Sequence, residues 1–167
     1  MGHEWAIPAR EYARHEARRG RRHAFEHLTP ATTALVVVDM VPFFARENAY
    51  CRAVFGPINR LAGALRAAGG LVAWVLPSGE DRHPELSTEF YGAEVAEAYR
   101  TSGGEGPPQT RLCPELETAP GDLFAEKCSA SAFFPGYSTL PEQLVQRGVR
   151  TVIVAGTVSN VCCEGTV

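Results

Sequence analysis

The chain has 167 residues, a length usual for one domain, and its 45% apolar and 21% charged content is that of a folded rather than a disordered protein. A net charge of −3 and a pI near 6.0 provide no general attraction to nucleic acid or to a membrane surface. The five cysteines form no CxxC pair and are typical of a reducing compartment. Because the N-terminus has no apolar signal core and no apolar run approaches ~18 residues, we expect a soluble, cytoplasmic protein.

The first 29 residues differ in composition from the rest of the chain. Residues 10–22 contain six arginines and only two glutamates, and four of the five histidines precede Thr29. We interpret residues 1–29 as a basic N-terminal arm, either a solvated helix or a segment that packs on a neighbouring subunit, with an acidic partner as the less favoured alternative. The main domain is expected to occupy residues 30–167.

Beyond the arm, apolar runs alternate with helical patterns along the chain. Continuous apolar runs predict buried strands at 34–40, 71–76 and 150–156, and the alternating segment 121–127 predicts a short fourth strand. Apolar residues at helical spacing predict the intervening helices, at 57–70, 89–100 and 138–148. Segments 41–56 and 101–109 are expected to be loops, and a last helix is expected to begin near Val161.

This alternation predicts an α/β fold, a doubly wound and mostly parallel sheet with helices on both faces in a Rossmann-like three-layer arrangement. In such sheets ligands bind beyond the carboxyl ends of the strands. Three of the predicted strands end on, or lead directly to, a chemically reactive side chain: Asp39, Lys127 and Cys162. We therefore expect these three groups to meet at one edge of the sheet.

Together the three groups predict nucleophilic catalysis by a thiol. A free thiol has a pKa of about 8.5 and needs activation, for which the first turn of a helix and the Lys127 ammonium are suited. Asp39 could accept the thiol proton and later donate it to a leaving amine. Backbone amides of the turn 157–162 could stabilise a developing oxyanion. Each residue taken alone also has a purely structural interpretation, and it is their combination that favours catalysis.

Two segments, "ALVVVDM" and "EKCSASAFFPGYSTLPEQLVQRGVRTVIVAGTVSNVCCEGT", resemble the isochorismatase-like cysteine hydrolase superfamily over about residues 31–167. The resemblance rests on the acid that ends the first strand, on a lysine followed by Ser-Ala-Phe (131–133), and on a G-x-x-[ST]-x-x-C motif (156–162). It implies a catalytic triad of Asp39, Lys127 and Cys162, with Cys163 as the apolar neighbour. It further implies a cis peptide between Val158 and Ser159, and an oxyanion hole formed by the backbone amides of Ser159 and Cys162.

Differences within the superfamily narrow the implied chemistry. Isochorismatases proper lack the nucleophilic cysteine, so Cys162 argues against vinyl-ether hydrolysis. Metal-dependent relatives carry D-x-H-P-x-x-H, whereas "DRHPELS" (81–87) lacks the last histidine, so we expect no metal and no cofactor. The resemblance implies an amidohydrolase that cleaves a C–N bond of a small amide, carbamoyl or ureido compound through an acyl-enzyme on Cys162. Phe44, Trp74 and Phe133 are candidates for an apolar substrate-binding wall.

Two alternatives remain open at this point. One is a thiol enzyme that uses His83, the only histidine after residue 31, as its base. The other is a non-catalytic binding or assembly module, suggested by the end of the chain at Val167, since relatives continue for some forty residues past the cysteine. We accordingly expect the C-terminal portion of the domain to be missing. Family members are commonly homodimers or homotetramers, and the expected partner is an amide-type small molecule, with neither nucleic acid nor membrane.

Overall fold

The computed structural model of the chain describes residues 6–46 and 48–167. Four strands form its sheet: β1 (Thr33–Val38), β2 (Leu71–Pro77), β3 (Leu123–Lys127) and β4 (Thr151–Gly156). The α-helices of the described residues, in chain order, are α1 (Ala9–Arg19), α2 (Pro42–Ala45), α3 (Ala49–Ala53), α4 (Phe55–Ala67), α5 (Pro84–Tyr91), α6 (Ala93–Arg100), α7 (Leu140–Gln146) and α8 (Glu164–Thr166). A wide helical turn, Ser159–Cys163, connects β4 to α8. None of these helices is long and apolar enough to cross a membrane.

The four strands are all parallel and lie in the order β3-β2-β1-β4. The chain therefore builds the sheet outward from β1 through β2 to β3, and then returns to add β4 on the other side of β1. Such a reversal of strand order opens a crevice between the carboxyl ends of the two strands concerned, which is where doubly wound proteins bind ligands. The predicted parallel α/β sheet is confirmed, and the reversal lies between β1 and β4.

Both faces of the sheet are covered, as the continuous apolar strands predict. On one face Leu35 and Val37 of β1 pack with the buried side of α4, including Ile58 and Ala62. On the other face the alternate β1 residues pack with α7, whose Leu140 is fully buried. Every residue of β1 is buried, so an apolar run without alternation is the pattern that this position requires.

One buried carboxylate connects three elements on the α4 face. Asp122 accepts hydrogen bonds from Arg66 of α4 at 2.9 and 2.6 Å, and its Oδ2 also accepts from the Trp74 indole nitrogen at 2.7 Å. Trp74 is fully buried in β2 and does not line the cavity described below. The expectation that Trp74 contacts substrate is therefore wrong: its ring is part of the core and its N–H is used by Asp122.

Two predicted segments differ from the structure. The segment 41–56, expected to be a loop, forms α2, α3 and the first turn of α4, and the Asn48 side chain caps α3 by accepting from the Tyr50 and Cys51 N–H groups. The helix expected at 89–100 is two helices, α5 and α6, because Gly92 between them has φ +81°, a conformation outside the helical region. Helix α1, in the basic arm, buries no side chain.

Candidate active site

Asp39 follows β1 directly and has φ +55°, a left-handed conformation that aspartate tolerates better than most residues. Its N–H donates to the Val75 carbonyl at 2.8 Å, so the backbone remains attached to β2 while the chain turns away. The residue is only 1% exposed. A buried carboxylate is thus held at the carboxyl edge of the sheet.

Lys127 ends β3 and supplies the opposite charge. Strand β2 lies between β3 and β1, and neighbouring strands are ~4.8 Å apart, so the long lysine side chain has to extend across the end of β2. Its Nζ lies 2.9 Å from Asp39 Oδ2 and donates to the Ser129 carbonyl at 2.9 Å. Both side chains are almost completely buried, which makes each of them dependent on the other for charge compensation.

The cysteine reaches the same place through the end of β4. Gly156 has φ +125°, and a Cβ there would lie 2.1 Å from the Val38 carbonyl oxygen, so only glycine allows β4 to approach β1 this closely. The next residue, Thr157, still donates its N–H to the Val38 carbonyl at 3.0 Å. The chain leaves the sheet only after Thr157, in the turn that carries Cys162.

The cis peptide lies between Thr157 and Val158, not between Val158 and Ser159 as expected. The position of the cis peptide follows from how far β4 pairs with β1. Because the Thr157 N–H still pairs with β1, the first peptide free to redirect the chain is the one that follows Thr157. The predicted position was one residue too late.

A threonine that the sequence analysis did not identify holds the cysteine turn in place. The Thr166 hydroxyl donates to the Cys162 carbonyl at 2.6 Å and accepts from the Ala132 N–H at 3.2 Å. Thr166 therefore connects the turn of Cys162 to the loop that follows Lys127. The available signal was the i, i+4 spacing, at which a threonine hydroxyl commonly bonds the preceding carbonyl.

The electrostatics of the three groups differ from the sequence-based expectation. Burial raises the pKa of Asp39 above its ordinary value, and the Lys127 charge opposes that rise. Burial and then the neighbouring Asp39 raise the pKa of the Cys162 thiol to about 11, while Lys127 lowers it. The expected depression of the thiol pKa does not occur, because desolvation and the carboxylate outweigh the ammonium. With its pKa raised to about 11, Cys162 is a thiol at neutral pH, and Asp39 and Cys162 lie in the wall of the same cavity.

The two adjacent cysteines occupy different environments. Both pack against the apolar cluster that covers one face of the sheet, but Cys162 also lines the cavity, whereas Cys163 does not. Burial and the neighbouring Cys162 raise the pKa of the Cys163 thiol to about 11 as well. Access to the cavity, rather than acidity, therefore distinguishes the two thiols.

The cavity over these groups has a volume of about 380 Å³. Phe44, one of the expected wall residues, lines it, while Phe133 packs against the core on the α7 face and lines no part of it. Tyr91, Tyr99 and Arg100 of α5 and α6 also line the cavity. The sequence could not identify these three residues, because their convergence depends on the break at Gly92.

The structure places His83 away from the candidate nucleophile. Its side chain is exposed, lies 4.0 Å from Glu85 and lines no part of the cavity that holds Cys162. The Asp81 side chain, in turn, accepts the His83 backbone N–H at 3.0 Å. Among residues 6–46 and 48–167, no group of three or more His, Cys, Asp or Glu side chains is arranged to hold a metal ion.

Fold and site together define a class of protein, a doubly wound α/β protein in which a thiol, a carboxylate and an ammonium group meet at the carboxyl edge of the sheet. Comparison with known families makes the assignment specific: residues 33–167 match the Isochorismatase domain. The chain belongs to the isochorismatase family, as its sequence motifs indicate.

Several relatives show how far the similarity extends. A ureidoacrylate amidohydrolase RutB from Enterobacter sp. (strain 638) is 30% identical over 158 residues, which cover 82% of this chain and 68% of that protein. A crystal structure of a cysteine hydrolase from Pseudomonas syringae pv. phaseolicola 1448A has a TM-score of 0.68 at 29% identity, covering 83% of this chain and 65% of that one. For N-carbamoylsarcosine amidase from Thermoplasma acidophilum the TM-score is 0.62 at 25% identity, with coverage of 81% and 73%. The chain thus spans about two thirds of the length of the first two relatives.

Proposed function

We propose that this chain is a cysteine-dependent amidohydrolase that cleaves a C–N bond of a small amide, carbamoyl or ureido compound through an acyl-enzyme on Cys162. One observation carries the proposal: Cys162 meets the buried Asp39–Lys127 ion pair in the wall of a cavity of small-molecule size. A buried pair of this kind contributes little net stability and is common at functional sites.

The first step is attack of the Cys162 sulfur on the substrate carbonyl carbon. The thiol proton passes to Asp39, a C–S bond forms, and the carbonyl electron pair moves onto oxygen. With a thiol pKa of about 11, little thiolate exists at neutral pH, so proton transfer has to accompany attack. The Lys127 Nζ lies 2.9 Å from the carboxylate and opposes the rise in the Asp39 pKa, so it favours the ionised form that accepts the proton.

The oxyanion requires hydrogen-bond donors at the cysteine turn. The N–H groups of Val161 and Cys163 are already directed at the Val158 carbonyl, at 3.2 and 3.1 Å. We assign the oxyanion hole to two of the remaining amides of the turn, those of Ser159 and Cys162, which the family resemblance implies. Removal of a single donor of this kind typically lowers kcat by ~10²–10³-fold.

Collapse of the tetrahedral intermediate breaks the C–N bond. The leaving nitrogen takes the proton from Asp39 and departs as ammonia or an amine, which leaves a thioester on Cys162. Asp39 then accepts a proton from water as the water oxygen attacks the thioester carbon. The C–S bond breaks, the sulfur regains a proton, and the acid product leaves.

The substrate class follows from the cavity and from the relatives. One relative is named for ureidoacrylate and another for N-carbamoylsarcosine, and both are named as enzymes that act on amide bonds. A volume of about 380 Å³ suits a small molecule rather than a peptide chain. These points support amide, carbamoyl and ureido compounds as substrates here.

A screen of small amides and ureas, read by ammonia release, tests the proposal. Cys162→Ala should abolish turnover, and the matched variant Cys163→Ala should retain most of it, since Cys163 lines no part of the cavity. Mass mapping after brief iodoacetamide treatment should show labelling of Cys162 before Cys163. Loss of activity in Cys163→Ala with activity retained in Cys162→Ala would overturn the assignment of the nucleophile.

A further inference from the structure

Apart from the three reacting groups, most of the residues that line the cavity come from the segment 77–102. This segment runs from the end of β2 through α5 and α6, and it contributes both charged and aromatic side chains. A substrate held with its carbonyl at Cys162 would place its non-reacting end against these residues. Their charge and shape therefore determine which substrates fit.

The two cations of the described cavity wall are both engaged by carboxylates. Lys127 is paired with Asp39 at 2.9 Å and also donates to the Ser129 carbonyl. Arg100 makes two hydrogen bonds to Glu97, from Nε at 2.7 Å and from Nη2 at 2.5 Å. Each cation of the wall therefore already has a carboxylate partner that compensates its charge.

The carboxylates of the wall are not balanced in the same way. Asp39 is paired with Lys127, and Glu80 lies 3.4 Å from Arg82. Asp81 forms no ion pair with any residue of the described chain, and its side chain accepts only the His83 backbone N–H. After the adjacent pairs cancel, Asp81 leaves the cavity wall with one uncompensated negative charge.

Aromatic rings lie in the same wall. Phe44, Tyr91 and Tyr99 line the cavity, and the Tyr91 and Tyr99 rings contact each other edge to face with centroids 5.3 Å apart. Aromatic faces attract cations through their quadrupole, and an adjacent carboxylate adds to that attraction. A wall of rings with one free carboxylate is suited to a substituted ammonium group and unfavourable for an anion.

We propose that the non-reacting end of the substrate carries a positive charge, so that the preferred substrate is a small amide or urea with an ammonium group, and that Asp81 is the residue that selects it. This inference rests on the proposed amidohydrolase function and deepens it. An anionic ureido acid would meet Asp81 and would find Arg100 and Lys127 already paired.

Three ureas of matched length test the proposal by turnover. (2-Aminoethyl)urea is cationic, propylurea is its neutral analogue, and 3-ureidopropionate is anionic, while all three present the same reacting group. The expected order of kcat/KM is cationic, then neutral, then anionic, with about fivefold between the cationic and neutral compounds from a single partly solvated charge. Faster turnover of 3-ureidopropionate than of (2-aminoethyl)urea would overturn the proposal.

A second measurement needs no turnover. Cys162 is labelled with a cationic reagent, trimethylammonioethyl methanethiosulfonate, and with an anionic one, sulfonatoethyl methanethiosulfonate. Each transfers its thioalkyl group to sulfur and releases methanesulfinate. The labelling ratio is the rate with the cationic reagent divided by the rate with the anionic reagent at Cys162, normalised by the same ratio for a small free thiol. It reports the charge preference of the cavity independently of the thiol pKa. We expect a labelling ratio above one.

Asp81→Asn isolates the proposed residue. Asparagine keeps the side-chain oxygen that accepts the His83 N–H, so only the charge is removed. Glu89→Gln, on α5 but outside the cavity wall, is the matched control with the same change in net charge. Asp81→Asn should lower the labelling ratio about fivefold and Glu89→Gln should leave it unchanged.

The two proposals fail in different ways. If none of the three ureas, and no other amide, releases ammonia, the amidohydrolase function fails, while the labelling ratio still reports the charge preference. If the ureas are hydrolysed but the labelling ratio is below one, or is unchanged in Asp81→Asn, the amidohydrolase function stands and the selection of a cation by Asp81 is wrong.

Discussion

Removal of the Lys127 charge is the sharpest test of the electrostatic arrangement at this site. In Lys127→Met the aliphatic part of the side chain remains, but the ammonium that lies 2.9 Å from Asp39 is lost. The Asp39 carboxylate, only 1% exposed, is then buried without its counter-charge. The variant therefore measures what the ion pair does for stability, whatever the substrate is.

The expected loss of stability in Lys127→Met is large. At 2.9 Å and an effective dielectric constant of about 20, the Coulomb attraction between the two charges is about 6 kcal/mol before desolvation is counted. Removing one partner of a buried pair typically costs ~3–5 kcal/mol, because the other charge is left uncompensated. We expect Lys127→Met to lose about that much free energy of unfolding at pH 8.

The loss should depend on pH in a definite direction. Burial already raises the pKa of Asp39 in the native state, and without Lys127 that pKa rises further. The native variant then binds a proton more tightly than the unfolded chain does. Its stability is highest below the ordinary carboxyl pKa and falls as pH rises toward the raised native value. The difference from wild type should therefore be smaller at pH 5 than at pH 8.

Urea denaturation of wild type, Lys127→Met and the double variant Asp39→Asn/Lys127→Met at both pH values completes the test. The double variant removes both charges and should recover most of the stability lost at pH 8. A cost below about 1 kcal/mol for Lys127→Met at pH 8, or no recovery in the double variant, would refute the argument that Asp39 is a buried carboxylate compensated by Lys127.

Three further predictions concern Cys162, Thr166 and the buried carboxylate Asp122. Because the pKa of the Cys162 thiol is raised to about 11, its rate of alkylation by iodoacetamide should keep rising through pH 9, and a rate plateau near pH 8 would contradict this. The free energy of unfolding should fall between pH 9 and 11, because the unfolded chain loses thiol protons there that the native state retains. Thr166→Val should lower kcat with KM little changed. Thr166→Ser should restore kcat, since serine keeps the hydroxyl that donates to the Cys162 carbonyl. An equal loss of kcat in both variants would show that the Thr166 hydroxyl does not position Cys162. Asp122→Ala should cost ~3–5 kcal/mol in urea denaturation, because Arg66 and Trp74 lose their buried acceptor, and should leave Cys162 alkylation unchanged in the folded protein.

The positions of the reactive residues could be predicted because they depend on local sequence. Asp39 and Lys127 stand where an apolar or alternating run ends, and strand ends in a parallel sheet share one edge. Cys162 follows a β-branched strand and a glycine, and the structure brings it to the same edge. Periodicity and strand length carry this information without any knowledge of distant contacts.

Other properties of the site could not be predicted, since they depend on residues far apart in the chain. An apolar tryptophan in a strand is equally compatible with a pocket wall and with the core, and Trp74 belongs to the core because its indole is bonded by Asp122, 48 residues away. The thiol pKa was expected to be lowered by the lysine, but its direction is set by burial, which no local pattern reports. The aromatic and charged wall from α5 and α6 depends on how those helices fold back over the cavity.

The sequence by itself determined the parallel α/β sheet and the three side chains that stand at its strand ends, because both follow from short-range pattern, and it carries the motifs by which it resembles its family. Only the tertiary structure decided that Asp39 and Lys127 are a buried pair, that Cys162 rather than Cys163 faces the cavity, and that Asp81 is left without a counter-charge. The physical reason is that burial and charge compensation are properties of the space around a group, and that space is filled by segments brought together only by folding.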